Sequence, residues 1–369
     1  MKILIIRLSA IGDAIHCLPA AAELKRRIPN ATIAWIVEPL AAPLISNNPV
    51  VDTVYVVPKR EWVGKLKAPW LWPALFTEIG AFWSAVRGEC FDMAVDFQGL
   101  LKSSVCALLS GAPIRVGFAG TREGAERLLT DRLDVGDYFG NERHVIDLNL
   151  ALASFVCKRL AVPDGELEPA VARFPLPEPP AASLEKIEKA LFPDGSSPEA
   201  SPPVAVLIPG TTWTSKIWPT DNWCRLALRL SSELGLRICL VGGPSEATGN
   251  SQIVSWLHRE APETRVLDLT GQTSLLDLIA LFRQSQLTVG GDTGPLHLAV
   301  AAGKPKVVGI YGRTPARRLG PYGRQSKTVC LDLWCQPCFE KVCPLSTTAC
   351  LKDLSVDRVF AEIVEHLGT

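Results

Sequence analysis

Gly290-Gly291-Asp292-Thr293-Gly294-Pro295-Leu296-His297 stands between the apolar run Leu287-Thr288-Val289 and a second apolar run reaching Ala302. The first run reads as a buried strand and the second as a helix. Asp292 or Thr293 can cap that helix, and Pro295 suits its first turn, where a missing N–H costs nothing. The glycines let a ligand come close to the backbone. Free N–H groups at a helix start, together with the positive end of the helix dipole, form an anion site for which a diphosphate is an apt guest. The same eight residues would also serve as an ordinary strand-to-helix turn of a parallel sheet. On the octapeptide alone both readings stand.

Strand–helix alternation continues on either side. Strands are predicted over 204–208, 237–241, 265–269, 287–291 and 306–311, with helices over 222–234, 246–259, 274–284 and 295–302. Toward the N-terminus, strands are predicted over 3–8, 32–37, 53–57, 91–97 and 114–118, with helices over 14–27, 100–109 and 144–160. Such alternation implies parallel sheets covered on both faces. Residues 162–203 are rich in proline and serine, with a short helix predicted near 186–191. The resulting division is a first domain over 1–175, a linker over 176–203 and a second domain over 204–369.

Composition narrows the class. The 369 residues are 47% hydrophobic and 21% charged, as in a globular protein. Formal net charge is zero, so no global attraction to nucleic acid is expected. No apolar stretch is long enough to span a membrane, and the N-terminus lacks the form of a secretory signal. The absence of G-x-G-x-x-G and of G-x-x-x-x-G-K-[ST] argues against a nicotinamide or flavin enzyme and against an ordinary ATPase loop.

Ligands of doubly wound sheets lie at the carboxyl ends of the strands, so polar residues there are the site candidates. Asp13, after the first strand, is placed either as a general base or as a helix-capping carboxylate. Lys216 follows Thr211-Thr212-Trp213-Thr214-Ser215. It reads as a partner for a phosphate leaving group or as a solvated lysine. Glu246, after Gly242-Gly243, suits ribose hydroxyls or simply the first turn of a helix. His297 reads as a buried, satisfied histidine or as a phosphate or sugar contact.

Two further segments stand out. Eleven cysteines are present, and Cys335, Cys338, Cys343 and Cys350 form a C-x2-C-x4-C-x6-C array. A structural metal such as zinc, packed reduced thiols and disulfides are all open to this array, which is expected to lie away from the reaction. Residues 59–87 mix Trp62, Trp70, Trp72 and Trp83 with Lys59, Arg60, Lys65 and Lys67. That composition suits either a membrane–water interface or a loop packed on its own domain.

Taken together, the chain resembles glycosyltransferase family 9, the lipopolysaccharide heptosyltransferases. The resemblance is carried by Lys2–Arg7 with Gly12-Asp13, by Asp96-Phe97-Gln98-Gly99-Leu100-Leu101-Lys102-Ser103, by Thr211-Thr212, Lys216 and Trp218-Pro219, and by Asp292-Thr293-Gly294 with His297. Trp35-Ile36-Val37-Glu38 and the Arg60 to Trp62 segment look most like the heptosyltransferase I branch. The cysteine-rich tail departs from that branch and looks more like tails of other members of the family, so a transferase with a different acceptor, of the heptosyltransferase II type, is the alternative. The resemblance implies a GT-B type α/β fold, with two Rossmann-like doubly wound domains and a central cleft. It implies an inverting transfer of heptose from an ADP-activated donor to the Kdo or inner-core region of a lipid A precursor.

By position, Asp13 would be the base and Lys216 would stabilise the departing diphosphate. Thr211, Thr212, Thr293 and Gly294 would hold phosphates, Glu246 the ribose and Asp292 the heptose, with His297 beside them. Arg60, Lys65, Lys102 and Arg122 are expected to bind an anionic glycolipid acceptor. No catalytic metal or cofactor is expected. The expected location is cytoplasmic, peripheral to the inner membrane. A nucleotide-sugar epimerase or hydrolase, or a noncatalytic sensor, is the competing class on the same scaffold.

Overall fold

The computed structural model describes residues 1–161 and 172–368. The first ten residues of the proline-rich stretch, 162–171, lie outside the described residues. The chain divides into two compact units, Met1–Pro177 and Glu178–Thr369.

The first unit holds six parallel strands: β1 (Lys2–Ile6), β2 (Thr32–Val37), β3 (Thr53–Val56), β4 (Met93–Asp96), β5 (Ile114–Phe118) and β6 (Asp131–Leu133). The second holds β7 (Val204–Ile208), β8 (Arg237–Leu240), β9 (Val266–Asp268), β10 (Leu287–Gly291), β11 (Lys306–Ile310) and β12 (Ser326–Val329). The sheet orders are β3-β2-β1-β4-β5-β6 and β12-β11-β10-β7-β8-β9. Counted within each unit, both read 3-2-1-4-5-6, the Rossmann order. The winding reverses between β1 and β4 and between β7 and β10, so each unit has one switch point.

The central strands are apolar on both faces because helices cover both. Ile3 to Ile6 and Val204 to Leu207 are all at most 2% exposed. Close approach of two strands explains Gly290: a Cβ there would stand 3.0 Å from the Cβ of Ile208. The helix Gly294–Ala302 has Pro295 in its first turn and ends at Gly303, whose φ of 78° is a left-handed cap.

The structure departs from the sequence reading in two places and adds one helix outside that reading. The insertion at 59–87 is helical, with Lys59–Leu66 packed on Trp72–Gly88. Its Trp62, Phe82 and Trp83 rings pack edge to face. The segment expected as a linker carries the helix Ala181–Leu191, which docks on Leu275–Gln284 within the second unit. Lys186 reaches Asp277 at 2.7 Å, and Glu178 reaches Arg283 at 2.5 Å. An amphipathic C-terminal helix, Val356–Leu367, buries Val359, Phe360 and Ile363 in the second core.

Candidate active site

In the first unit, the turn leaving β1 meets the turn leaving β4 at the switch point. Arg7, 6% exposed, spans them. One guanidinium nitrogen donates to the carbonyl of Phe97 at 2.6 Å and another contacts an Asp13 oxygen at 2.7 Å. The second Asp13 oxygen accepts from the N–H of Ala10 at 3.1 Å. Burial disfavours the Arg7 charge, but the adjacent Asp13 carboxylate together with Tyr138 and Cys17 offsets that and raises its pKa. Asp13 therefore closes the helix start from its third position, with its side chain 38% exposed. Gln98 accepts from the N–H of Leu8 at 3.0 Å, locking the two turns together.

Asp96, at the end of β4, is a structural carboxylate. It is fully buried and receives the hydroxyls of Ser103 and Ser104 and the N–H groups of Gln98 and Gly99. Burial outweighs these bonds and raises its pKa.

The four expected acceptor residues are not one cluster. Lys102 approaches Ser9 at 3.1 Å and Glu38 at 3.3 Å, and Lys59 approaches Glu38 at 3.6 Å. This basic group with its central carboxylate lies at the carboxyl ends of β1 and β2. Arg60 is exposed on its helix. Lys65 is instead paired with Glu78 across the helical hairpin, and Arg122 stacks on the ring of Phe139 at 4.2 Å. Both of these are thus engaged in local packing.

In the second unit, the ends of β7 and β10 bring Lys216 to Asp292 at 2.5 Å. Thr314, after β11, donates its hydroxyl to the same carboxylate at 2.8 Å, and His297 lies 3.8 Å from its other oxygen. Burial would raise the Asp292 pKa. His297 and Lys216 overcome this and hold it well below the usual carboxylate range. The expected side-chain cap from Asp292 or Thr293 is not formed. Thr293 is the capping residue by backbone alone, and the Asp292 carboxylate is drawn toward Lys216, a stronger partner than a neutral N–H.

Glu246 folds back over the ends of β7 and β8. One of its oxygens accepts from the N–H of Gly243 at 2.5 Å. Gly210 and Gly242 leave it room, because a Cβ at those positions would stand 2.2 and 2.6 Å from atoms of the Glu246 carboxyl group. Thr211 pairs with the backbone of Trp213, and Thr212 is exposed. The Thr270 turn is engaged internally, its hydroxyl held between Asn250 and Asp268.

All eleven cysteines are free. The array does not lie away from this site, as had been expected. Cys335, Cys338, Cys343 and Cys350 line one cavity with Ser215 and Arg313. Sequence reasoning gave no role to Arg7, Glu38, Arg313 and Thr314. Arg7 and Glu38 lay inside the segments that carry the resemblance, whereas Arg313 and Thr314 had only their position after a strand's carboxyl end as a signal.

Two parallel Rossmann-like units, with polar residues gathered at the switch point of each, define a fold of the GT-B type. The family model for "Glycosyltransferase family 9 (heptosyltransferase)" matches residues 79–349. The chain belongs to that family and is a glycosyltransferase. It is 28% identical to lipopolysaccharide heptosyltransferase 1 of Pseudomonas aeruginosa, over 94% of this chain and 89% of that protein. Among solved structures, Escherichia coli heptosyltransferase WaaC with ADP superposes with a TM-score of 0.74 at 23% identity, covering 99% of this chain and all of that one. Escherichia coli ADP-heptose heptosyltransferase II gives 0.72 at 21% identity, covering 100% and 98%.

Proposed function

We propose that the protein transfers a heptose from an ADP-activated donor to the Kdo or inner-core region of a lipopolysaccharide precursor. The observation that carries this reading is the grouping of Lys216, Asp292, His297 and the helix start at Gly294 on one switch point, with Glu246 on the neighbouring strand end. A cation, helix N–H groups and a spare carboxylate oxygen match a diphosphate, its sugar and a ribose. The likeness to a heptosyltransferase solved with ADP supports the choice of nucleotide.

The reaction is a single displacement. The acceptor hydroxyl oxygen bonds to the anomeric carbon as the bond to the diphosphate oxygen breaks, and that electron pair leaves with ADP. Asp13 takes the hydroxyl proton. Lys216 neutralises the diphosphate, sharing itself with Asp292, while Thr211, Thr212, Thr293 and Gly294 hold phosphate oxygens. These groups supply the electrostatic work without a catalytic metal.

The acceptor is an anionic glycolipid reached from the cytoplasmic face of the inner membrane. Arg60 and Lys102 contact it. No helix among the described residues is long and apolar enough to cross a membrane. The helical hairpin at 59–88 supports peripheral contact, with Trp70 78% exposed and Phe76 62% exposed beside Lys59, Arg60 and Lys67.

Thermal-shift measurements with ADP, UDP, GDP and CMP test the donor assignment. ADP is expected to stabilise most. Equal shifts from all four nucleotides would reject it.

A further inference from the structure

Residues 330–348 carry neither helix nor strand. A loop of that length inside a compact unit is uncommon and needs something to hold it. Few of its large apolar side chains do: Leu331 packs on the core, but Trp334 is 88% exposed and Val342 76% exposed. Hydrogen bonds pin it at a few points. Gln336 donates to the carbonyl of Gly312 at 2.6 Å, and the N–H groups of Cys338 and Phe339 donate to that of Arg313. Ser215 donates to the carbonyl of Glu340 at 3.3 Å.

Between these points lies a cavity of about 30 Å³, lined by Cys335, Cys338, Cys343 and Cys350. That is room for one water-sized guest. Arg313 lines the same cavity and is 2% exposed. Its Nε and Nη1 have no hydrogen-bond partner, although its guanidinium stacks on Trp213 at 4.4 Å. A buried cation with unmade hydrogen bonds is costly unless negative charge stands beside it.

We propose that Cys335, Cys338, Cys343 and Cys350 bind one thiophilic divalent ion of the zinc class, and that this ion fixes the loop supporting Trp213 and Lys216. Its role is structural. The cysteines line the cavity wall, but among the described residues no group of three or more His, Cys, Asp or Glu side chains stands placed to hold a metal ion. Ligation at about 2.3 Å therefore draws the sulfurs inward. Each thiol gives its proton to solvent as its sulfur binds the ion. Four thiolates around a divalent cation leave net negative charge, and the free N–H groups of Arg313 are placed to receive it. Ser215 lines the cavity one residue from Lys216, and the Trp213 ring faces both Arg313 and the Lys216 ammonium at 4.9 Å. The ion thus holds the donor loop from behind, whatever sugar is moved.

Cobalt(II) titration of the full chain, reduced and stripped with a chelator, tests this. Saturation at one equivalent is expected, with the intense visible bands of tetrahedral cobalt and sulfur-to-metal bands in the near ultraviolet. Zinc should abolish both and protect four thiols from a thiol reagent. Cys338→Ser and Cys350→Ser should each lose the four-sulfur spectrum, and Cys90→Ser should keep it. Arg313→Gln should weaken zinc binding roughly 10- to 100-fold. Octahedral cobalt spectra, or four thiols still reactive in excess zinc, would overturn the proposal. So would thiols recovered only by reductant, which would mean disulfides. The parent-chain titration decides the matter even if the serine variants fail to fold.

Discussion

Asp13 is gripped from two sides, by Arg7 on one oxygen and the Ala10 N–H on the other. The proposed base is thus held in place before any substrate arrives. Asp13→Asn should keep the fold and ADP binding and lower turnover about 10²–10⁴-fold, the usual range for a removed general base. Near-normal turnover would take Asp13 out of the mechanism. Arg7→Met should lower kcat more than KM, because it releases the carboxylate without touching the donor residues. A change in KM alone would give Arg7 a binding role. At the other switch point, Lys216→Ala should weaken ADP binding and slow transfer. It should also cost stability, about 1–3 kcal/mol, since Asp292 would remain mostly buried without its cation. Unchanged ADP affinity and rate, measured by calorimetry and initial velocities, would leave Lys216 only its ion pair.

Elements show how much a short segment depends on what it packs against. The 59–88 hairpin buries few of its own residues, Leu75 and Val86 among them, and leaves a row of apolar side chains facing outward. Trp70→Ala with Trp72→Ala should reduce sedimentation with anionic vesicles and spare ADP binding. Each basic residue of the hairpin adds about 1 kcal/mol near such a surface. If the parent protein does not sediment with vesicles at all, the hairpin has another use. The helix Ala181–Leu191 is held to Leu275–Gln284 by Lys186 and Asp277. Burial would raise the Asp277 carboxyl. Bonds from Lys186, Ser183 and Ser274 outweigh burial and lower it to about 2. Its folded pKa lies below the unfolded value near 3.9. The stability it contributes is therefore complete above about pH 4 and lost as pH falls toward about 2. Denaturant unfolding across that window should show a shallower pH slope for Asp277→Asn than for the parent. Equal slopes would mean the pair is neutral in energy.

The molecule as a whole is two sheets of one order, each with its own core. A fragment spanning 178–369 should fold alone and bind ADP about as well as the full chain, because every proposed donor contact lies within it. A fragment that is soluble and cooperative but blind to ADP would place donor contacts in the first unit. Buried parallel strands must be apolar along their whole length, and the turns at their carboxyl ends need glycine and small polar residues. Both marks are local, so the chain alone determined two doubly wound halves and pointed to Asp13, Lys216, Glu246 and Asp292. What each side chain touches is set by residues far away in sequence. Arg7 meets Phe97, Lys216 meets Asp292, Thr314 meets Asp292, and Arg313 meets the cysteine loop. No periodicity records such meetings, since a lone arginine or threonine after a strand reads the same whether solvated or engaged. Only the packed sheets decided them, by bringing separate strand ends to one edge. The helix Ala181–Leu191 shows the same limit: its proline-rich flanks read as a linker, and only the apolar face of its neighbour made it part of a core.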